Sequence, residues 1–378
     1  MCTSHLRHLM GFRRRLAPHA LALLAVAALL SAAGCGRSLA GRPVTALNAH
    51  LNGAPRLCPG ERSQLVVEAT LDDGTIMSTV DRPRDRIRWE EIAITQAGAE
   101  VTSDGVVVLD PDPRITSHQP AELHIHPVHH PRVTAYIKIP VHYSCAFSAD
   151  FAGRSGASGR DGAAGRDGDD GRDEASTGDN ATAGGHGGPG LAGEHGGHAA
   201  PGEPGPTLQV TVTMVSVPEH EGELLQVLVG IPGTGLADAY LVHPTGGRLV
   251  VHAGGGPGGR GGDGGRGGQG GDGGTGDPEG DGGNGGDGGD GGDGAPGAPG
   301  GRIVVVADPR VEPFMSAFVL LNPGGAGGAA GSGGAAGTGG PGARSGASGR
   351  AGREGRPAPE GPPGPPVEIA FRPVNPLW

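Results

Sequence analysis

The chain has few of the residues that build large hydrophobic cores. Aromatic residues make up 3% of its 378 residues, and lysine occurs once, at Lys138. Glycine and proline instead supply 79 and 34 residues, a fraction typical of collagen-like or low-complexity chains. One core spanning the whole chain is therefore excluded. The 40 acidic residues outnumber 29 basic ones, which excludes nucleic acid as the main partner, because phosphate contacts require a basic surface.

The motifs of common catalytic sites are also missing. The sequence contains no Gly-x-Ser-x-Gly, no Walker loop, no His-Glu-x-x-His and no Cys-x-x-Cys. Its glycine-rich segments are not followed by a helix whose N-terminus would bind phosphate. The sequence therefore predicts a non-enzymatic protein without a cofactor. An envelope hydrolase in the C-terminal β domain is the alternative.

The N-terminus has the three parts of a secretory signal peptide. Arg13, Arg14 and Arg15 precede an uninterrupted apolar run at 20–30, and small residues at 31–34 follow it. Eleven apolar residues are too few to span a bilayer, which needs about 20. We therefore expect residues 1–34 to be removed. The remaining chain keeps 25 basic and 40 acidic residues, because the signal carries four arginines and no acid.

The end of this signal, Ala32-Ala33-Gly34-Cys35, resembles the lipobox of bacterial lipoproteins, although that family more often has leucine where Ala32 stands. The resemblance implies that Cys35 becomes the lipidated N-terminus. It also implies outer-membrane sorting, because Gly36 follows the cysteine in place of the aspartate that tends to retain such proteins at the inner membrane. The expected membrane partner is thus the bilayer that holds the anchor, with residues 35–45 as a tether.

An N-terminal β module is expected over residues 46–150. Cys58 and Cys145 remain once Cys2 and Cys35 are assigned to the signal and the anchor, and a lone pair in an oxidising envelope predicts a disulfide. Between them, short alternating strands are separated by Asp, Gly and Pro turns, which predicts a β-sandwich. The module weakly resembles the immunoglobulin-like domains of bacterial surface proteins, with Trp89 between the cysteines.

His124 and His126 are weak candidates for a metal site. They alternate with Leu123 and Ile125, so both imidazoles are expected on one strand face. Such a pair can chelate zinc if a third ligand approaches. No Cys or Glu with ligand spacing accompanies them, so the sequence favours a polar, solvent-facing strand edge and predicts no metal.

Three glycine-rich tracts have a period of three residues. Glycine occupies every third position from 153 to 171 and, with Glu279 as the only exception, from 255 to 300. A third series runs from 325 to 364, interrupted at Ala343 and Ala358. A flexible linker does not require a fixed period. The period predicts polyproline II geometry, which has three residues per turn and places every third residue on one edge.

The connecting segments indicate how the tracts fold. Strand-like runs precede and follow the second and third tracts, and isolated strands are marginal in water, so we expect one β domain over 207–378. Its insertions at 254–301 and 323–366 are predicted to be folded-back polyglycine II hairpins. The first tract, 151–206, is expected to be a collagen-like spacer. A collagen-like trimer for that tract, and disorder of all three, remain alternatives.

The sequence thus predicts a mainly β fold, with helix only in the signal peptide. It resembles glycine-rich and collagen-like bacterial surface lipoproteins, which implies structural or adhesive display towards extracellular matrix, other cells or itself. Asp287, Asp290 and Asp293 suggest a calcium site, but same-edge residues lie about 9 Å apart, so a solvated acidic edge is favoured. Ice contact is another alternative, through the small residues of the third tract: Ala326, Ser332 and Thr338.

Overall fold

The computed structural model describes residues 38–53, 55–80, 86–175, 181–218 and 220–378. The predicted signal peptide and Cys35 lie outside these residues. The mainly β prediction is confirmed, with 29% strand and 5% helix. The chain divides into two compact units, Met1–His142 and Tyr143–Trp378.

The first unit contains two antiparallel sheets. One has the strand order β1-β2-β6-β5, with β3 also paired to β2, and the other has the order β4-β7-β8. The strands are β1 (Val44–Leu51), β2 (Arg62–Leu71), β3 (Ile76–Ser78), β4 (Ile92–Ala97), β5 (Ala99–Val101), β6 (Val106–Leu109), β7 (Ala121–Pro127) and β8 (Ala135–Ile139).

Both sheets bury one side against the same core. Leu65 and Val67 of β2 and Leu123 and Ile125 of β7 are fully buried members of a single cluster. Fully burying such a side chain contributes about 1.5–3 kcal/mol. The apolar and polar residues that alternate along the sequence of β7 are therefore alternately buried and more exposed, as in a strand of a two-sheet sandwich.

In the part of the chain that the structure describes, three short helical segments depart from the expectation that helix occurs only in the signal peptide. These are α1 (Pro113–Thr116) and the 3₁₀ segments Trp89–Glu91 and Pro309–Ala317. Asp112 and Asp308 each accept a hydrogen bond from a backbone N–H in the first turn that follows them, and a proline opens that turn. Asp-Pro, expected to mark turns alone, here also starts helices. The predicted Cys58–Cys145 disulfide is present.

The second unit is also built on two sheets. The five-stranded sheet has the order β12-β11-β10-β14-β16 and the three-stranded sheet has the order β15-β13-β9. The strands are β9 (Ala146–Asp150), β10 (Leu208–Ser216), β11 (Glu223–Gly230), β12 (Ala237–Val242), β13 (Arg248–His252), β14 (Ile303–Ala307), β15 (Phe318–Leu321) and β16 (Glu368–Phe371). Because β9 pairs with β13, the division falls at His142 and not at residue 150.

The three glycine-rich tracts form six polyglycine II helices, PG1 to PG6, in this unit. Each tract is a hairpin that leaves a strand of the three-stranded sheet and returns to a strand of the five-stranded sheet. The first tract is therefore not a spacer but the first hairpin of the bundle. The helices span PG1 153–171, PG2 184–205, PG3 254–275, PG4 280–301, PG5 323–341 and PG6 343–364.

The helices form two layers that continue the order of the two sheets. PG1, PG3 and PG5 lie side by side in parallel, as do PG2, PG4 and PG6. Backbone bonds recur every third residue at constant register, as in Gly153 N–H to Gly254 O (2.9 Å) and Gly156 N–H to Pro257 O (2.8 Å). Antiparallel bonds join the layers, as from Gly262 N–H to Gly197 O at 2.9 Å. The tracts thus pair with one another within one chain.

The number of glycines per triplet follows the number of neighbouring helices. Among the described residues, PG3 and PG4 each bond to four other helices, whereas PG1 and PG6 each bond to two. PG3 and PG4 have two glycines in most triplets, and PG1 and PG6 have one. A Cβ on Gly262 would lie 1.9 Å from Arg160 O, and one on Gly261 would lie 2.0 Å from Gly292 O. A helix with two edges packed closely against neighbouring backbone therefore requires two glycines in each triplet.

The lateral edges of the bundle are closed by side chains. PG2 carries Leu191 and Glu194 at triplet positions where the interior helix PG4 has glycine, and both are exposed. PG6 likewise carries exposed Ser345, Ala351 and Glu354. A further helix packed there would meet these side chains instead of a glycine edge. This arrangement explains why the lattice stops at six helices.

Candidate functional site

The non-glycine residues of the bundle form two outer faces. Face A carries the outward residues of PG1, PG3 and PG5, and face B those of PG2, PG4 and PG6. Within one helix these residues recur about every 9 Å, given a rise of 3.1 Å per residue. Their spacing is therefore fixed by the backbone lattice.

Face B contains the same three-residue row three times. In each row a histidine of PG2 lies beside an aspartate of PG4, which lies beside an arginine of PG6. The register follows from bonds such as Gly187 N–H to Asp281 O and Gly282 N–H to Arg344 O, both 2.9 Å. The three rows are His186–Asp281–Arg344, His195–Asp290–Arg353 and His198–Asp293–Arg356.

Side chains in these rows satisfy backbone groups of the next helix. The Nδ1 of His195 accepts a hydrogen bond from Asp290 N–H at 2.8 Å, and Asp290 Oδ1 accepts one from Arg353 N–H at 2.7 Å. The Nδ1 atom of His195 must be unprotonated to accept this bond. Each row therefore stabilises the lattice while leaving its arginine exposed.

The three aspartates of the calcium alternative belong to this pattern. Asp287, Asp290 and Asp293 each bind a backbone N–H of PG6, from Arg350, Arg353 and Arg356 respectively, all at 2.7 Å. The acidic edge is therefore not simply solvated: one oxygen of each carboxylate is engaged by the neighbouring helix. A short side chain with an oxygen acceptor, such as aspartate, satisfies the exposed backbone N–H of the neighbouring helix at this position.

Two further rows of face B consist only of proline. Their residues are Pro201, Pro296 and Pro359 in one row and Pro204, Pro299 and Pro362 in the other, and all are exposed. Proline has no N–H, so it needs no side-chain acceptor from the preceding helix. Face B therefore combines an apolar patch near the sheets with a charged field farther along the bundle.

Face A uses the same acceptor arrangement with a different composition. Asp263 N–H donates to Asp161 Oδ1 at 2.8 Å, and Ser332 N–H donates to Asp263 Oδ1 at 2.7 Å. The Ser332 N–H and the Arg260 guanidinium lower the pKa of Asp263. Ala326, Ser332 and Thr338 lie in the outward row of PG5, as the ice-contact alternative requires, but the charged Asp263 of PG3 lies beside Ser332.

His124 and His126 lie on β7, and none of the residues that the structure describes supplies a third ligand to them. Both alternate with buried Leu123 and Ile125, as predicted. The residues opposite His124 are Thr95 and Tyr136, and its ring contacts that of Tyr136 at 4.8 Å. Within the described ranges, no cluster of three His, Cys, Asp or Glu side chains includes either histidine.

Asp150 and His252 of the second unit form a hydrogen-bonded pair of the kind that catalytic sites use. They are cross-strand partners, with His252 Nδ1 3.1 Å from Asp150 Oδ1, and this contact lowers the pKa of Asp150. In the part of the chain that the structure describes, no serine or cysteine is hydrogen-bonded to His252. The pair joins the start of PG1 to that of PG3.

Comparison with known proteins finds no matching family model, no similar curated protein and no similar solved structure. The described residues also include no helix long and apolar enough to cross a membrane. The rows of face B were missed by sequence reasoning because they join residues of three tracts. Aligning the tracts at offsets of 95 and 63 residues would have revealed them.

Proposed function

We propose that this chain is a non-enzymatic, lipid-anchored envelope protein that displays a rigid, two-faced polyglycine II bundle in a structural or adhesive role. The repeated His–Asp–Arg rows of face B are the observation that carries the proposal. They place exposed charged groups at multiples of about 9 Å along parallel helices. A protein that displays such a surface needs this regularity, whereas a catalytic site needs convergent groups in a cleft.

The bundle is well suited to present side chains rigidly. Its helices are joined by a backbone bond at nearly every glycine position, and each tract is held at both ends by strands of the sandwich. Few side chains are needed inside, so those of the outward positions are available for contacts. Lipid attachment at Cys35 would hold this module at the envelope, because each buried methylene contributes about 0.8 kcal/mol.

A complementation experiment tests the proposal. A deletion strain carrying the wild-type gene should contain palmitate-labelled protein in the outer-membrane fraction, and a Cys35→Ser variant should lose the label. Attachment of cells to one another or to matrix should return with the wild type and with Gly197→Ala, but not with Gly262→Ala, which disrupts the bundle. Equal attachment by all variants would contradict the display role. Turnover of glycan or ester substrates by the purified protein would instead favour the hydrolase.

A further inference from the structure

We propose that face B is self-complementary and that a second copy of this chain docks on it through PG4 and PG6. The inference deepens the display role proposed above and rests on it. It concerns the partner that the charged rows and the proline rows fit.

PG4 and PG6 match residue by residue along the bundle. Wherever PG4 has an aspartate, PG6 has an arginine in the same row, and Asn284 lies beside Ala347. Where PG4 has Pro296 and Pro299, PG6 has Pro359 and Pro362. Opposite charges and apolar residues are thus arranged in two columns of equal length.

A two-fold rotation turns this match into an interface. An axis parallel to the helices, midway between PG4 and PG6, exchanges the two columns and keeps every row at its own height. The contact is isologous, so each interaction occurs twice. Asp290 of one copy then faces Arg353 of the other, and the proline rows face each other. Like charges would meet if the axis passed through PG4 itself, so the charge pattern selects this arrangement.

The groups that this interface needs are available. Arg344, Arg350, Arg353 and Arg356 are exposed. Among the described residues, no guanidinium group of these four arginines lies within 4.0 Å of a carboxylate, unlike those of Arg260 and Arg302. A polyanion is a poorer occupant, because the aspartate column beside the arginines would repel it. Exposed ion pairs are individually weak. The specificity of the contact therefore comes from the repetition of matched ion pairs and from the prolines that the second copy covers.

Analytical ultracentrifugation of the mature protein without its lipid tests this inference. We expect a monomer–dimer equilibrium with a dissociation constant below about 100 µM. Affinity should fall at least tenfold when salt rises from about 0.02 M to about 0.5 M, because salt screens exposed charges. The variant Arg350→Glu/Arg353→Glu/Arg356→Glu should be monomeric. The matched control Arg154→Glu/Arg160→Glu/Arg166→Glu changes the charge equally on the PG1 edge and should still dimerise.

A rescue experiment separates loss of the interface from loss of folding. Mixing the PG6 variant with Asp287→Arg/Asp290→Arg/Asp293→Arg should restore a heterodimer, since each column then faces its opposite. A monomeric wild type at low salt would overturn the inference, as would dimers that survive the PG6 substitutions. So would a monomer that binds polygalacturonate through these arginines. Because the readout is in solution, a negative result leaves the attachment and labelling results of the display role unaffected.

Discussion

Asp290 and Arg353 lie 63 residues apart in the chain, yet the Arg353 N–H donates to Asp290 Oδ1 at 2.7 Å. The same relation repeats one triplet earlier and one triplet later. Each repeat requires two tracts to hold the same three-residue period without a slip. The side-chain pattern therefore records the backbone lattice beneath it.

Removing this acceptor should weaken the bundle modestly. Asp290→Ala leaves the Arg353 N–H without its side-chain partner, and we expect a loss of about 0.5–1.5 kcal/mol in the free energy of unfolding. Asp290→Asn keeps an oxygen at this position and should stay much closer to the wild type. Thermal or chemical denaturation measures both. Equal losses in the two variants would show that charge, and not the hydrogen bond, is the stabilising element.

Interior glycines should tolerate no methyl group. Gly262→Ala places a Cβ 1.9 Å from Arg160 O, and backbone must move to accommodate it, so we expect a loss of at least about 1–3 kcal/mol. Gly197→Ala is the matched control, because the nearest atom to its Cβ is Arg160 N at 3.1 Å and Leu191, Glu194 and Ala200 occupy equivalent positions. Its stability should change by less than about 1 kcal/mol. Similar losses in both variants would contradict the packing described.

Acid should destabilise the bundle. Hydrogen bonds from Ser332 N–H and Thr275 N–H lower the pKa of Asp263 and Asp173 in the folded state. Their stabilising contribution is therefore present above the unfolded pKa of about 4 and is lost as the pH falls through the lower folded pKa. The melting temperature should decrease when the pH is lowered below about 4. Asp263→Asn should flatten that dependence, and an unchanged pH profile would argue against these carboxylate bonds.

The sequence predicted the local geometry better than the long-range pairing. The threefold period revealed the polyglycine II helices, and alternation around Leu123 and Ile125 revealed a sandwich strand. Ala146–Asp150 was assigned to the wrong module because its partner, Arg248–His252, lies about a hundred residues away in a parallel pairing. When β9 is placed in the N-terminal module, the first tract is flanked by a strand of the second β domain at only one end, which favours a spacer. The rows of face B likewise depend on register between separate tracts.

Amide hydrogen exchange across residues 254–301 tests the central claim most directly. If PG3 and PG4 lie at the centre of a six-helix bundle, their glycine N–H groups are bonded to neighbouring helices and should exchange over hours. The slowest exchange should fall on PG3 and PG4, with the connecting turns faster. Complete exchange of this segment within seconds would contradict the bundle.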